Sequence, residues 1–251
     1  MKIEIVLAMG LLLGFTGCSS FNPAPGAQPG QTAQVFEHQQ TLKAGYLLYL
    51  PKGYGEDAKK QWPLILFLHG VGERGTDPWL VAKHGVPKID TTLPDFPFLV
   101  VSPQCAPDDK WSDELLLALL NEVEAKYSVD RHRVYLTGLS MGGFGTWSLG
   151  LHHPERFAAI APLCGGGDLI TPFVSAMDQK EALASLPIWA FHGAKDPVVP
   201  LAESQRMVDA LKNRFGVRDV KLTVYPDAQH DCWTQTYANP DLYAWFLLHA
   251  R

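Results

Sequence analysis

Short apolar runs alternate with segments of helical spacing along most of the chain, and this alternation constrains the fold more than any other feature. The runs are rich in strand-forming residues and are bounded by Pro and Gly. They cover residues 46–50, 63–68, 98–101, 134–139, 157–163, 188–191 and 220–225. Strands that alternate with helices predict parallel pairing, right-handed crossovers and a sheet covered on both faces.

Three of the intervening segments carry helix signals. Ser112 is a suitable N-cap, and apolar residues recur after it at 116, 119, 120, 123 and 127, which is the spacing of one buried helix face. Residues 201–215 have the same character, and 241–249 end the sequence as an apolar helix. Because no internal repeat or second linker interrupts this pattern, we expect residues 35–251 to form one domain. At 251 residues and 47% hydrophobic content, the chain is long enough to bury a substantial core.

The first residues indicate export. Residues 1–18 combine Lys2 with an apolar run at 5–15, which is too short for a membrane-spanning helix and fits a secretory signal peptide. The end of this segment, Phe-Thr-Gly-Cys, resembles a bacterial lipobox, which implies lipidation of Cys18. Under that resemblance, Ser19 implies the outer membrane. The alternative is an ordinary signal peptide in which the cysteine is incidental.

The segment at 19–34 is rich in Pro and Gly without apolar periodicity, and this composition predicts a flexible tether. We therefore expect a protein of the periplasm or the cell surface. Membrane contact is expected only through the N-terminal lipid.

Charge and cysteine content exclude some classes of function. Lys and Arg number 21 against 26 Asp and Glu, and this net charge of −5 argues against a nucleic-acid partner. Besides Cys18 there are three cysteines, Cys105, Cys164 and Cys232, so one disulfide and one free thiol are compatible with an oxidising compartment. No CxxC motif or Cys/His cluster has zinc-like spacing, and we expect no metal site.

A candidate nucleophile lies at the end of one predicted strand. In parallel sheets, ligands bind beyond the carboxyl ends of the strands, so the chemistry is sought just after each apolar run. Gly138-Leu139-Ser140-Met141-Gly142 closes the strand at 134–139 and precedes a predicted helix. This context predicts a tight, strained turn that exposes the Ser140 hydroxyl. Glycines two residues before and two after the serine leave room for neighbouring chain.

A serine hydroxyl is a weak nucleophile and needs a base that is held by an acid. His230 follows the strand at 220–225 and is the predicted base, whereas His249 is expected to lie at the surface or to pack. Asp196 follows the strand at 188–191 and is the predicted acid. Asp227 and Asp231 are rivals, but both are too near His230 in sequence to need the preceding strand.

An oxyanion hole requires amides aimed at the charge that develops on the attacked carbonyl. The Met141 amide comes with the serine turn. The second amide is expected from the loop after the strand at 63–68, with Val71 as first choice and Gly72 as second. His69 and His192 are expected to be structural.

Four motifs carry a resemblance to a known superfamily: His-Gly-x-Gly-Glu-Arg-Gly at 69–75, Ser-Pro-Gln-Cys followed by Trp111, Gly-Leu-Ser-Met-Gly-Gly at 138–143, and His-Asp-x-Trp at 230–233. With the chain order Ser, Asp, His, they resemble the α/β-hydrolases. The likeness is specifically to bacterial carboxylesterases related to feruloyl esterase, dienelactone hydrolase and prolyl oligopeptidase catalytic domains. It implies an α/β-hydrolase fold and cofactor-free ester hydrolysis through an acyl-enzyme, with Ser140, Asp196 and His230 as the catalytic residues.

Substrate preference is less strongly indicated. No long apolar lid interrupts the chain, and 168–185 is the largest irregular stretch after the serine turn. An open cleft favours soluble or polysaccharide-linked esters, hydroxycinnamoyl esters among them. Trp111, Phe144 and Trp233 are candidates to stack on an aromatic acyl group or a sugar. The alternative is that they pack as cleft walls.

Two further readings of the sequence remain open. A serine peptidase of the same fold is one, although no propeller domain precedes the hydrolase segment. A non-catalytic, hydrolase-like binding protein is the other, although every catalytic position is filled.

Glu73 and Arg74 are expected to form an ion pair that braces the oxyanion loop, with contact to substrate as the alternative.

Overall fold

The computed structural model describes residues 41–89, 93 and 95–251, and Thr41–Arg251 form one compact unit. The predicted signal peptide at 1–18, its lipidated Cys18 and the tether at 19–34 lie outside the described residues. Export and lipid anchoring therefore stay predictions. No helix in the described part of the chain is both long enough and apolar enough to span a bilayer.

The described residues contain seven strands in one sheet, in the order β1-β3-β2-β4-β5-β6-β7. The bounds are β1 Tyr46–Tyr49, β2 Trp62–Leu68, β3 Leu99–Pro103, β4 Val129–Leu139, β5 Ala159–Leu163, β6 Ile188–Gly193 and β7 Val220–Tyr225. All neighbours from β3 to β7 pair in parallel. Each of the seven predicted runs is thus a strand, and the mostly parallel sheet is confirmed.

Strand β1 departs from the predicted parallel pairing. It runs antiparallel to β3, with Tyr46 opposite Pro103 and Tyr49 opposite Val100. The rule for parallel crossovers applies to consecutive strands joined by a helix. Strand β1 lies beside β3 and not beside its successor β2, so the rule does not fix its direction.

Eight α-helices are described: α1 Val86–Ile89, α2 Asp113–Lys126, α3 Met141–His152, α4 Ile170–Asp178, α5 Lys180–Ser185, α6 Ala202–Asn213, α7 Trp233–Ala238 and α8 Pro240–Leu247. Ser112 caps α2 as predicted, because its Oγ accepts a hydrogen bond from the Leu115 N–H at 3.4 Å. The stretch at 168–185 was expected to be irregular, and this was wrong, since α4 and α5 occupy most of it.

Side chains that alternate along β2 enter two different cores. Leu64 and Leu66 belong to a buried cluster with residues of α2, α3 and α6. Ile65 and Phe67 belong to a second cluster with residues of α7 and α8. Because successive strand residues point to opposite faces, helices cover both sides of the sheet. The candidate site lies at the carboxyl ends of the strands, which these helices do not cover.

Candidate active site

Ser140 occupies a strained turn between β4 and α3. Its backbone has φ 54° and ψ −116°, a conformation that residues with a β-carbon rarely adopt and that is typical of functional sites. The flanking glycines make the turn possible. A β-carbon on Gly138 would lie 2.4 Å from the Gly142 oxygen, and one on Gly142 would lie 1.9 Å from the Leu68 oxygen.

The structure brings Ser140, His230 and Asp196 together in one chain of hydrogen bonds. The Ser140 hydroxyl lies 2.9 Å from His230 Nε2, and His230 Nδ1 lies 2.7 Å from Asp196 Oδ2. The other carboxylate oxygen, Oδ1, accepts hydrogen bonds from the amides of Val198 and Val199 at 2.8 and 2.9 Å. The Asp196 side chain is fully buried, whereas that of His230 is 18% exposed.

The environment of Asp196 favours its ionised form. Burial alone would raise the pKa of this carboxyl. The hydrogen bonds from His230, Val199 and Val198 outweigh burial and hold the pKa below its usual value. Asp196 can therefore stabilise a positive charge on His230 at neutral pH.

The rival acids are engaged elsewhere. Asp227 accepts a hydrogen bond from Lys195 Nζ at 2.7 Å on an exposed surface. Asp231 accepts hydrogen bonds from the backbone and side chain of Thr234, at the start of α7. His249 lies just after α8, where its ring packs edge-on against Trp245. Its packing agrees with the expectation from sequence.

The two predicted oxyanion donors belong to segments next to Ser140, the first turn of α3 and the loop after β2. The Met141 amide is the first N–H of α3, which a helix leaves without an internal acceptor. Val71 lies in the loop after β2, and the preceding Gly70 is the point of close approach, because a β-carbon there would lie 3.6 Å from Ser140 Cβ. The loop continues as a 3₁₀ turn over Val71–Glu73.

His69 and Trp111 hold this loop in place. The Cys105 N–H donates to His69 Nε2 at 3.0 Å, so the ring proton is on Nδ1, which donates to the Gly70 oxygen at 2.6 Å. Burial lowers the pKa of His69 to about 4. Trp111 Nε1 donates to the His69 oxygen at 3.2 Å. Both residues thus support the loop.

His192 lies beneath the acid. Its Nε2 lies 2.9 Å from the Val199 oxygen and 3.4 Å from Asp196 Oδ2, and its Nδ1 lies 2.7 Å from Ser204 Oγ. The ring is fully buried. These contacts agree with the structural role expected from the sequence.

The three aromatic candidates for substrate contact differ in position. Trp111 is a wall, bound to the loop as described. Phe144, on the first turn of α3, is 41% exposed and lines a cavity of about 330 Å³ together with Trp147 and Asp168. Trp233 meets the His230 ring edge-on, with centroids 5.3 Å apart. Phe144 therefore lies one helical turn after the serine, Trp233 packs on the base, and Trp111 is bound to the loop after β2.

The expected ion pair between Glu73 and Arg74 is not formed, so this prediction was wrong. Arg74 Nε donates to the Val71 oxygen and its Nη1 to the Asp109 oxygen, both at 3.2 Å. Arg74 therefore braces the loop through carbonyl groups. Glu73 is instead turned inward and buried. The bend of the loop separates the two adjacent side chains.

The three cysteines of the domain form no disulfide. Cys105, Cys164 and Cys232 are all buried and free, so the possible disulfide is not formed. Burial raises the pKa of the Cys105 thiol, and it also raises the pKa of Cys164, which contacts Cys232. In the part of the chain that the structure describes, no group of three or more His, Cys, Asp or Glu side chains is arranged to hold a metal ion.

Comparison with known proteins finds esterases among the similar sequences and structures. The chain is 28% identical to a probable feruloyl esterase C of Aspergillus terreus, over 80% of this chain and 70% of that protein. It is 24% identical to a bifunctional acetylxylan esterase/xylanase of Neocallimastix patriciarum, over 86% of this chain but 30% of that protein. The solved structure of a thermostable esterase superposes with a TM-score of 0.69 and 34% identity, covering 82% of this chain and 59% of that one.

The chain thus spans less than two thirds of the bifunctional relative and of the thermostable esterase. A family model described as phospholipase/carboxylesterase matches residues 108–239, more than half of the sequence. The matched segment includes Ser140, Asp196 and His230, and it covers strands β4 to β7 with the helices between them. The protein belongs to the phospholipase/carboxylesterase family of α/β-hydrolases.

Proposed function

We propose that the protein is a serine hydrolase that cleaves carboxylic esters through an acyl-enzyme. The observation that carries the proposal is the chain of hydrogen bonds from Ser140 through His230 to the buried Asp196. A hydroxyl, a base and an orienting acid within hydrogen-bond reach are what nucleophilic catalysis by serine requires. Family membership and the esterase relatives support the same activity.

The geometry assigns a role to each group. Ser140 Oγ attacks the ester carbonyl while His230 Nε2 takes its proton, and Asp196 stabilises the resulting imidazolium. The amides of Met141 and Val71 stabilise the negative oxygen of the tetrahedral intermediate. When the intermediate collapses, His230 gives the proton to the departing alcohol. A water molecule, activated by the same histidine, then releases the acid and restores the serine.

The substrates that we propose are soluble or polysaccharide-linked esters, with acetyl and hydroxycinnamoyl groups as the acyl parts. The names of the relatives, a feruloyl esterase and an acetylxylan esterase, support this class. Phe144 is exposed beside the nucleophile, where an aromatic acyl group would find a stacking surface.

The test is hydrolysis of three probes by the purified protein: p-nitrophenyl acetate, methyl ferulate and a proline-containing chromogenic peptide. We expect turnover of the esters and none of the peptide. Ser140→Ala should lower the ester rate roughly 10⁴-fold or more, while thermal unfolding shows that the variant is folded. Ser185→Ala is the matched control, because this exposed hydroxyl bonds only within α5, to the oxygens of Glu181 and Ala182.

Cleavage of the peptide without ester turnover would replace the esterase by a peptidase. Inactivity toward all three probes would favour a non-catalytic binding protein. If Ser140→Ala kept most of the activity, the nucleophile would be a different residue.

A further inference from the structure

A buried carboxylate beside the nucleophile has no role in the chemistry proposed above. Glu73 is only 4% exposed, yet its carboxylate accepts no hydrogen bond from the residues that the structure describes. His84 Nε2 lies 3.9 Å from Oε1, which is within ion-pair distance but too far for a hydrogen bond. Burying a carboxylate without hydrogen bonds is costly, so its position calls for an explanation, and a ligand that donates a hydrogen bond is one.

The backbone of Glu73 is fully hydrogen-bonded, in contrast to its side chain. The Glu73 N–H donates to the Gly70 oxygen at 3.4 Å, and its carbonyl oxygen accepts a hydrogen bond from Gln104 Nε2 at 2.9 Å. The main chain is thus satisfied by the loop itself. The loop needs the backbone of this residue, and it does not explain the inward carboxylate.

The carboxylate lies next to the reaction centre. The position of a β-carbon on Gly70 would be 3.4 Å from Glu73 Oε2 and 3.6 Å from Ser140 Cβ. Glu73 therefore lies just across Gly70 from the nucleophile.

Two aromatic rings connect Glu73 to the catalytic base. Trp233 packs edge-on against His230, with centroids 5.3 Å apart, and edge-on against His84, with centroids 5.8 Å apart. The indole Nε1 of Trp233 is buried and has no hydrogen-bond partner among the described residues. Glu73, His84 and Trp233, which we call the alcohol-side cluster, thus combine a carboxylate that accepts no hydrogen bond from the described residues with an indole N–H that has no acceptor, and Trp233 packs on His230.

The position of His230 shows which half of the ester meets this cluster. His230 returns its proton to the departing alcohol, so the alcohol oxygen must lie against Nε2. Trp233 packs on the His230 ring, so we assign the alcohol-side cluster to the alcohol half of the ester. A plain alkyl alcohol would leave Glu73 and the indole N–H unpaired, and an anionic alcohol would be repelled by Glu73. A hydroxyl-rich alcohol satisfies both groups and can lie on the aromatic ring.

We propose that the alcohol-side cluster is a binding site for the carbohydrate half of the ester, in which Glu73 accepts a hydrogen bond from a sugar hydroxyl. This inference rests on the proposed esterase function and narrows its substrates to esters of sugars. A hydrogen bond to a buried charged group discriminates strongly against a substrate that lacks the donor, because the charged group is then left unpaired.

The test compares two esters of one acid, methyl ferulate and feruloyl arabinose, so that only the alcohol differs. Methyl acetate and acetylated xylose make the same comparison for a small acyl group. Wild-type protein should prefer the sugar ester. Glu73→Gln, which keeps the shape and removes the charge, should lower kcat/KM for the sugar ester roughly 10-fold or more. The methyl ester should change by no more than about twofold.

Two further variants sharpen the result. Trp233→Phe keeps a ring but removes the unpaired N–H. It should also lower kcat/KM for the sugar ester and leave kcat/KM for the methyl ester nearly unchanged. Glu56→Gln, an exposed glutamate on the loop after β1, is the matched control and should change neither rate. Thermal unfolding should show that Glu73→Gln is about as stable as wild type, because the carboxylate makes no hydrogen bond to the described residues that the substitution would break.

Equal losses on both esters would show that Glu73 supports the oxyanion loop, and the inference would be wrong. Unchanged rates on both esters would also overturn it, while leaving the esterase function intact. Failure of wild-type protein on all four esters would instead contradict the proposed function itself.

Discussion

Protonation of His69 should make the stability of the protein depend on acid pH, because His69 holds the loop that carries the predicted oxyanion donor Val71. The ring is buried, and its Nε2 accepts the Cys105 N–H. A proton on that nitrogen would break the hydrogen bond and place an unpaired charge in the core. Burial accordingly lowers the pKa of His69 from 6.5 to about 4.

The magnitude follows from the two pKa values. His69 is neutral in the folded protein, whereas the unfolded chain takes up a proton below pH 6.5, so the stabilisation is fully present above pH 6.5 and is lost as pH falls toward 4. The whole effect is about 3 kcal/mol at 1.36 kcal/mol per pKa unit. About 2 kcal/mol of it should be lost between pH 7.5 and pH 5.

The assay is urea unfolding of wild type and His69→Gln at pH 7.5 and pH 5. Glutamine can still accept the Cys105 N–H but does not titrate, so its deficit relative to wild type should shrink by about 2 kcal/mol at pH 5. His132→Gln, at an exposed position, keeps the His69 contribution and serves as the control. If wild type and His69→Gln lost the same stability on acidification, the depressed pKa of His69 would be refuted.

Two predictions concern the packing around the site. Gly142→Ala would place a β-carbon 1.9 Å from the Leu68 oxygen. Thermal unfolding should therefore show a loss of about 3 kcal/mol or more in the free energy of unfolding, or no folded protein. The control Gly72→Ala, with open space at its β-carbon, should unfold near the wild-type temperature. Thr137→Val removes a buried hydroxyl that donates to the Ala161 oxygen at 2.6 Å and contacts the Tyr237 hydroxyl. Urea unfolding should show a loss of about 1–3 kcal/mol, whereas Thr76→Val on the surface should cost less than about 0.5 kcal/mol, and equal losses would contradict the burial argument.

The strands and the serine turn could be read from the sequence because their signals are local. Apolar runs bounded by Pro and Gly mark a strand wherever it pairs, and Gly138 and Gly142 are required by the turn itself. The start of β4 was placed five residues late, at Val134, because Asp130, Arg131 and His132 are polar residues in a part of the strand that is not fully buried. The direction of β1 depends on its neighbour and not on its own residues.

The features that the sequence did not predict are helix α4, whose apolar residues are exposed, and contacts between residues that are not neighbours in the motifs. Helix α4 exposes Ile170, Phe173 and Met177, so its apolar positions do not mark a buried face and the segment resembled a loop. The inward position of Glu73 could not be predicted from the sequence, because neighbouring residues in the motif do not mark it; its ion-pair neighbour His84 is eleven residues away. Asp168, which had no assignment from sequence, bonds to the backbone and hydroxyl of Thr171 at the start of α4.

The three hydrogen-bonded side chains follow β4, β6 and β7, so the site spans four neighbouring strands of the sheet. None of these contacts joins residues close in sequence, so the entropy of closing long loops must be paid before they form. A refolding chain can regain its helices and its compactness before Ser140 meets His230. The proposed esterase activity, followed during renaturation, would therefore report when the strands that carry these residues have come together.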